Sequence, residues 1–442
     1  MRIHFISIGG AVMHNLALEL KANGHQVTGS DDEIYEPSRS RLDSEGLLPD
    51  KMGWDANRIT SEINLIILGM HARPNNPELL RAQELNLPIQ SFPEYIGEHA
   101  QDKIQIVVAG SHGKTTTTSM IMHVLREAGK DFDYLVGAQL EGFDRMVRLS
   151  DAPIIVIEGD EYLSSPIDRR PKFVHYNPSH LIITGIEWDH MNVFPTFEDY
   201  VNVFGSLLCK LDNRARVFYD LEDEKLVELV TSEIRAFDME AYEPIAYQVK
   251  DGKFYLKETE KALGVVGGHN MKNLSAARKV LRSLDISDEI ILSAFATFSG
   301  ASKRQDLLLD TEDLVIYRDF AHAPSKVRAT LKGIRELYPK RYLIAVCELH
   351  TFSSLNKAFL PQYADAMQPA EVAAVFYSPH TLEIKKMPPL DEDDIRQAFN
   401  QETLSVFTNK DDLAKFLEAE KLKSPAVMLL MSSGTFGGLE IG

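Results

Sequence analysis

Ile106-Val107-Val108-Ala109-Gly110-Ser111-His112-Gly113-Lys114-Thr115-Thr116-Thr117-Thr118 is the stretch on which the reading of this chain turns. An apolar strand delivers a glycine-containing loop to the start of a helix, where successive backbone N–H groups and the helix dipole can cradle phosphates. In that arrangement Gly110, Ser111, His112, Gly113 and Thr116 form an ATP-binding loop, Lys114 reaches the β- and γ-phosphates, and the Thr115 hydroxyl sits on Mg²⁺. The strict P-loop pattern has glycine at position 108, where this chain has Val108, so the loop begins at Gly110 and reads G-[ST]-x-G-K-T.

Strand and helix patterns alternate on both sides of this stretch, predicting α/β architecture with parallel sheets and crossover helices. Upstream, Ile3 to Ile8 is followed by a helix over Asn15 to Ala22 and by strands at Val27 to Asp31 and Leu65 to Gly69. A polar break at Gly97 to Lys103 precedes the central series, Ile104 to Ala109, Ile154 to Glu158 and Leu181 to Thr184. A second break, Ser299 to Arg304, leads to Leu314 to Tyr317, Tyr342 to Val346, Val372 to Tyr377 and Val427 to Met431. The chain therefore divides into three α/β domains, 1–102, 103–301 and 302–442. Its 442 residues suit that number at roughly 150 residues per domain.

Composition narrows the partners. With 47 Lys+Arg against 65 Asp+Glu the formal charge is −18, so non-specific binding to nucleic acid or to an anionic membrane is electrostatically opposed. Two cysteines, Cys209 and Cys347, provide neither a disulfide framework nor a zinc site. The opening Met1 to Gly10 reads as a buried strand, because His14 and Asn15 interrupt the apolar run that a signal peptide needs. No run approaches the ~18 apolar residues that cross a bilayer, and the expected location is the cytoplasm.

Two acidic clusters follow central strands. Glu158-Gly159-Asp160-Glu161-Tyr162 places carboxylates where they can reach Mg²⁺ between a nucleotide and a second substrate. Gly185-Ile186-Glu187-Trp188-Asp189-His190-Met191 is weak alone, but it falls on the same carboxyl edge of the sheet, where ligands bind in this architecture.

Taken together, these segments resemble the Mur ligases, the ATP-dependent amide-forming enzymes of peptidoglycan synthesis, over essentially the whole chain. Gly268-His269-Asn270-Met271-Lys272-Asn273 is similar to the family's H-N-x-x-N element on the adenine side. Phe298 to Gln305 resembles its F-x-G-x-x-x-R crossover, which implies that Arg304 reaches the γ-phosphate. Asp319-Phe320-Ala321-His322-Ala323-Pro324 resembles D-[YF]-[AG]-H-x-P, implying Asp319 near the ribose and His322 near the phosphates. The opening strand with Gly9-Gly10 and Gly29-Ser30-Asp31 looks like the family's UDP-binding domain.

The resemblance implies a UDP-sugar-binding Rossmann-like domain (1–102), a P-loop ATP-binding domain (103–301) and a C-terminal domain contacting nucleotide and peptide (302–442). It implies ATP and Mg²⁺, with Thr115, Glu158 and His190 as metal ligands, Lys114, Glu158, His190 and Arg304 as catalytic residues, and Gly110 to Thr116, His269, Asn270, Asn273, Arg304, Asp319 and His322 around ATP. Gly9, Gly10, Ser30, Asp31 and His71 are the UDP-sugar candidates, with His71 equally readable as a turn cap.

Within the family, Asp160-Glu161-Tyr162 continuing to Asp168-Arg169-Arg170-Pro171-Lys172-Phe173-Val174-His175-Tyr176 is similar to the branch that adds a whole murein tripeptide to UDP-N-acetylmuramate. Leu163-Ser164-Ser165-Pro166-Ile167 departs from that branch, and Glu348-Leu349-His350-Thr351 is closer to the branch that adds L-alanine. The expected reaction joins UDP-N-acetylmuramate to L-alanyl-γ-D-glutamyl-meso-diaminopimelate through an acyl phosphate. Addition of L-alanine is the near rival, and a non-enzymatic UDP-sugar and ATP regulator the distant one. Several members of the family that this chain resembles use a carbamylated lysine about fifteen residues after the E-x-D-H histidine; counting from His190 reaches Gly205, and the nearest downstream lysine is Lys210, so none is expected here.

Other features have plainer readings. A dinucleotide fingerprint fails at Ser7 and Val12, which disfavours a dehydrogenase. His14 and His123 are expected to be structural, and the charge runs Leu221 to Lys225 and Asp391 to Asp394 to be solvated helix starts and surfaces.

Overall fold

The computed structural model describes residues 1–232, 237–300, 304–401 and 403–439. The proposed boundary at 301/302, residues 301–303 of the crossover and the last three residues lie outside the described residues.

Among the described residues, twenty strands form four sheets. The N-terminal sheet contains β1 (Arg2–Ile6), β2 (Gln26–Ser30), β3 (Leu65–Leu68) and β4 (Ile89–Ser91), all parallel, in the order β2-β1-β3-β4. The central sheet contains β5 (Ile104–Ala109), β6 (Phe132–Leu135), β7 (Val147–Arg148), β8 (Ile154–Glu158), β9 (His180–Ile183), β10 (Arg216–Asp220) and β11 (Asp238–Tyr242). Its order is β11-β10-β9-β5-β8-β6-β7, with only β7 antiparallel. A small antiparallel sheet follows, β12 (Tyr247–Lys250), β13 (Lys253–Leu256) and β14 (Ala262–Leu263). The C-terminal sheet contains β15 (Asp306–Asp310), β16 (Leu314–Asp319), β17 (Tyr342–Leu349), β18 (Val372–Tyr377), β19 (Ser405–Phe407) and β20 (Ala426–Met431). It is ordered β15-β16-β20-β17-β18-β19 and is parallel except for β15.

The apolar character of β5 follows from burial on both faces, as in other covered parallel strands. Ile106 and Val108 join a core cluster shared with the C-terminal sheet through Val315 and Leu343, whereas Val107 and Ala109 join one shared with the N-terminal sheet through Ile3 and Phe5. Alternate residues of one strand thus belong to different cores, and its carboxyl end falls between them.

Several expectations shift. The helix expected over Asn15 to Ala22 begins at Ala11. The polar break at Gly97 to Lys103 is partly helical: Gly97, Glu98 and His99 complete the helix Phe92–His99. There a Cβ on Gly97 would lie 2.3 Å from the His175 carbonyl oxygen, so glycine allows the helix to lie directly on the turn Lys172–His175. His14 bonds the Gly10 carbonyl and Ser38 Oγ, and His123 the Ala294 carbonyl and Thr297, which are structural contacts.

Candidate active site

The loop after β5 owes its path to two glycines with positive φ, Gly110 at +124° and Gly113 at +72°. Side chains are excluded sterically as well. A Cβ on Gly110 would meet Thr184 Oγ1 at 2.3 Å, and one on Gly113 would meet Asn273 Oδ1 at 2.5 Å. The second contact presses the loop against the helix Gly268–Ser283, which carries His269, Asn270 and Asn273.

Helix starts converge here with their N–H groups unclaimed. Among the described residues, the helices Ala11–Ala22, Lys114–Glu127, Gly268–Ser283 and Pro324–Leu337 have no side-chain N-cap bond. Six other helices are capped by Asn76, Ser91, Thr196, Asp223, Asp391 and Asn409, while Ser38–Ser44, Asp288–Thr297 and Pro379–Ile384 also lack a side-chain cap. Open helix N-termini are anion sites by construction, since unsatisfied N–H groups and the positive dipole end point outward.

Two cavities flank the loop. One, of about 440 Å³, is lined by His112, Gly113, Thr116, His269, Asn270, Asn273, Arg304 and Asp319, together with Lys326 and others. His269 Nδ1 is buried there without a hydrogen-bond partner. Asn270 and Asn273 are held by Val266, Gln305 and each other. Asp319 accepts from the Gln305 and Ala321 N–H groups at 2.8 and 2.7 Å. The Arg304 guanidinium lies 4.7 Å from the Phe320 ring centroid. The second cavity, about 340 Å³, is lined by Gly10, His71, Phe92, Lys114, Glu158, Asp160, Lys172 and Tyr176 among others, and so lies between the N-terminal and central sheets.

Lys114 stands between the two cavities. Its Nζ donates to the Gly110 carbonyl at 2.5 Å and to Glu161 Oε2 at 2.8 Å. Burial works against its charge, but Glu161 and then Asp160 override it and hold its pKa above the ordinary lysine value. Glu161 is fully buried, accepts from Tyr200 at 2.9 Å and lies 3.6 Å from His190 Nε2. Thr115 Oγ1 donates to Glu158 Oε1 at 2.9 Å, and the Gly137 N–H to Oε2 at 2.7 Å. Lys172 pairs with Asp160, whose pKa falls below the usual carboxylate range because Lys172, Lys114 and His190 outweigh its burial. His190 has a positive φ of 53°, and its N–H bonds Asp189.

Some expected contacts lie elsewhere. Ser30 is buried and donates to Glu78, while Asp31 accepts the Gly9 N–H at 2.7 Å. Asp31 therefore braces the Gly9-Gly10 turn, Ser30 is tied to Glu78 instead, and only Gly10 and His71 of the five UDP-sugar candidates line the second cavity. Ser111 is likewise internal, bonded to Tyr200, Glu187 and Gly185. Thr115 and Glu158 touch, but His190 faces Glu161. Among the described residues, the His and carboxylate group with metal-ligand spacing is Glu94, Asp168 and His175, away from this trio.

Residues without a motif role also enter. Lys326 lines the first cavity; it follows the D-F-A-H-A-P segment by two residues but offered no signal beyond that nearness. The acidic run at 221–225 is more than a solvated surface: Glu222 lines the first cavity and pairs with Lys272, and Asp223 accepts the Ile186 N–H. Its physical cause is Lys272, which draws Asp220 and Glu222 to the sheet edge at 2.8 Å each.

A glycine loop, open helix N-termini and a lysine set between two cavities define a nucleotide-binding enzyme that brings a second ligand to the phosphate end. Residues 108–281 match the Mur ligase middle domain, and residues 2–104 match the model described as Mur ligase family, catalytic domain. The chain is similar to the UDP-N-acetylmuramate–L-alanine ligase of Clostridium kluyveri, 32% identical over 382 residues, covering 81% of this chain and 80% of that protein. It is also similar to the UDP-N-acetylmuramate–L-alanyl-γ-D-glutamyl-meso-2,6-diaminoheptandioate ligase of Escherichia coli K12, 30% identical over 346 residues and 76% of each chain. The fold matches the crystal structure of a murein peptide ligase from Psychrobacter arcticus with TM-score 0.69 and 23% identity, covering 100% of this chain and 97% of that one. This chain belongs to the Mur ligase family, and it is an ATP-dependent, amide-forming ligase.

Proposed function

We propose that the enzyme joins UDP-N-acetylmuramate to the tripeptide L-alanyl-γ-D-glutamyl-meso-diaminopimelate, releasing ADP and phosphate, as a step of peptidoglycan recycling in the cytoplasm. The observation that carries the peptide assignment is the segment Asp160 to Tyr176. It resembles the tripeptide-adding branch and supplies Asp160, Lys172 and Tyr176 to the wall of the second cavity. The sugar nucleotide enters there, its diphosphate on the open helix start at Gly10 and His71 beside it.

ATP takes the first cavity, with phosphates on the loop from Gly110 to Thr116 and the base toward His269, whose unpartnered Nδ1 gains a polar neighbour. Asp319 and His322 approach from the C-terminal sheet, and closure of this side keeps water from the reactive intermediate. Thr115, Glu158 and His190 are the residues that hold Mg²⁺. The oxygen donors Thr115 and Glu158, which lie in contact, suit a hard cation, and His190, now beside Glu161, would complete the set. Bound there, Mg²⁺ neutralises phosphate charge.

The lactyl carboxylate attacks the γ-phosphorus, with Lys114 and Arg304 countering the charge that spreads over the phosphoryl oxygens. The peptide α-amine then attacks the acyl phosphate and phosphate leaves. With an amine pKa of ~7.7–8.0 in water, enough is unprotonated near neutrality that no dedicated base is required.

L-alanine as the amine is the second reading, favoured by the identity to the Clostridium kluyveri enzyme and by Glu348-Leu349-His350-Thr351. Phosphate release by the purified chain, with UDP-N-acetylmuramate and ATP fixed, separates the two. The tripeptide is expected to exceed L-alanine by about tenfold or more in kcat/KM, which is about 1.4 kcal/mol of discrimination. Preference for L-alanine overturns the assignment.

A further inference from the structure

Cations around the first cavity differ in how they are paired. Lys114 has Glu161 at 2.8 Å, and Lys272 has Asp220 and Glu222, both at 2.8 Å. Among the described residues the nearest carboxylate to Lys326 is Asp189 at 3.7 Å, beyond hydrogen-bond reach, and Asp189 already accepts the His190 N–H at 2.7 Å. The Lys326 side chain is only 19% exposed, and it lines the cavity with His112, Gly113 and Arg304. It is the third residue of the uncapped helix Pro324–Leu337, so the ammonium and an open helix start belong to the same element. A largely buried ammonium without a close acid is costly unless an anion comes to it.

From this geometry, and resting on the ligase reading above, we propose that Lys326 is a further catalytic residue, an ammonium that binds the γ-phosphoryl oxygens of ATP alongside Lys114 and Arg304. Its neighbours fit an anion site. Burial lowers its pKa, Asp189 partly restores it, and Lys114 and Arg304 lower it again, so positive charge is crowded there until phosphate arrives. His322 does not supply that charge. Burial first and then Lys326 push its imidazole down to about 3, so it stays neutral. The family motif brings a neutral ring to the phosphates, and the lysine four residues on brings the cation.

Calorimetric titration of the full chain with ADP and with a non-hydrolysable ATP analogue tests the assignment. Lys326→Met is expected to weaken the analogue by about ten- to hundredfold while ADP stays within about twofold, because only the analogue carries the γ-phosphoryl group. The kcat should fall with little change in KM for UDP-N-acetylmuramate, and Lys326→Arg should recover part of the analogue affinity. Equal weakening of both nucleotides, or no weakening of either, overturns the proposal. Should the methionine variant fail to fold, Lys326→Gln gives the same comparison. Failure of the ligase reading shows separately, as wild-type protein that releases no phosphate with either amine, and the nucleotide titrations still decide Lys326.

Discussion

Asp31 shows how a single side chain can be bound to a site without lining it. The residue is 8% exposed, and burial, opposed by the Gly9 N–H bond, pushes its pKa up to about 6 from an ordinary 3.8. The folded protein therefore holds this proton more tightly than the unfolded chain does between pH 3.8 and about 6. Stability from Asp31 is complete below that window, is lost as pH rises through it, and is constant above. Asn in its place can still accept from Gly9 and has no charge to desolvate. Asp31→Asn should thus gain on wild type from pH 4 to 6 by on the order of 1–2 kcal/mol, allowing for solvent screening, and then level off. Denaturant melts across that range check it; a gap that narrows with rising pH contradicts the assignment of cause. The same scale shows what the sequence carried. Lys114 and Thr115 were legible because loop chemistry fixes their spacing, Glu158 because it ends an apolar strand in an acidic cluster, and Arg304 only through the resemblance of Phe298 to Gln305 to the family's crossover. Glu161 stood inside a recognised acidic string but gave no sign that it, rather than Glu158, would pair with Lys114, because that choice depends on which way β8 ends. Lys326 was silent because a lysine two residues into a helix is ordinarily solvated.

Helices, more than strands, set the width of the first cavity, the proposed nucleotide site. Gly333 in the helix Pro324–Leu337 faces Gly267, just before the helix Gly268–Ser283, and a Cβ on Gly333 would lie 2.8 Å from the Gly267 Cα. Gly267 has φ +93°, so its backbone is in a region that L side chains rarely adopt and has little freedom to withdraw. Gly333→Ala must push the two helices apart, widening the gap between Lys326 on one and His269, Asn270 and Asn273 on the other. Overpacking costs about 1–3 kcal/mol, while alanine in a helix interior returns about 1 kcal/mol. The melting temperature should therefore move little, ADP affinity should fall by about tenfold, and UDP-N-acetylmuramate affinity should hold. Calorimetry with each ligand checks this, and unchanged ADP affinity would show that the helices slide without opening the cavity. At this scale the sequence was most legible in buried strands. The limits of β5, β8 and β18 agree with their apolar runs, because both faces of such strands are covered. It missed β4, β6, β7, β10, β11, β15 and β19 and the whole antiparallel sheet. There polar residues alternate with apolar ones, as in β12 (Tyr-Gln-Val-Lys), or the strand is only three residues long, as in β4 and β19.

Across the whole molecule, three parallel-rich sheets turn toward one region, and the chain that builds them carries −18. Among the described residues, Lys114, Lys172, Lys272, Arg304, Lys326 and Lys332 line the two cavities beside six carboxylates, Glu158, Asp160, Glu187, Glu222, Asp319 and Glu336, so the cleft is locally balanced in charge where the chain as a whole is strongly acidic. ATP and a UDP-sugar are both anionic. From beyond the molecular surface they meet net repulsion, and only within the cleft do they meet these cations. The two contributions respond differently to salt. At 0.01 M ionic strength the screening length is ~30 Å, long enough for the whole surface to repel an approaching nucleotide, whereas at 0.1 M it is ~10 Å and the distant acids drop out. Contacts inside a partly buried cleft are screened much less over the same range. The usual rule for a charged substrate and an oppositely charged enzyme, a rate that falls with salt, should therefore be reversed here at low ionic strength. The kcat/KM for UDP-N-acetylmuramate, measured with free Mg²⁺ fixed, is expected to rise about two- to fivefold from 0.01 to 0.1 M salt, because association is no longer opposed by the global field. It should decline only at higher salt, as the cleft contacts themselves weaken. A monotonic fall from the lowest salt would mean that the cleft's own field extends past the surrounding acids and steers ligands in despite the net charge.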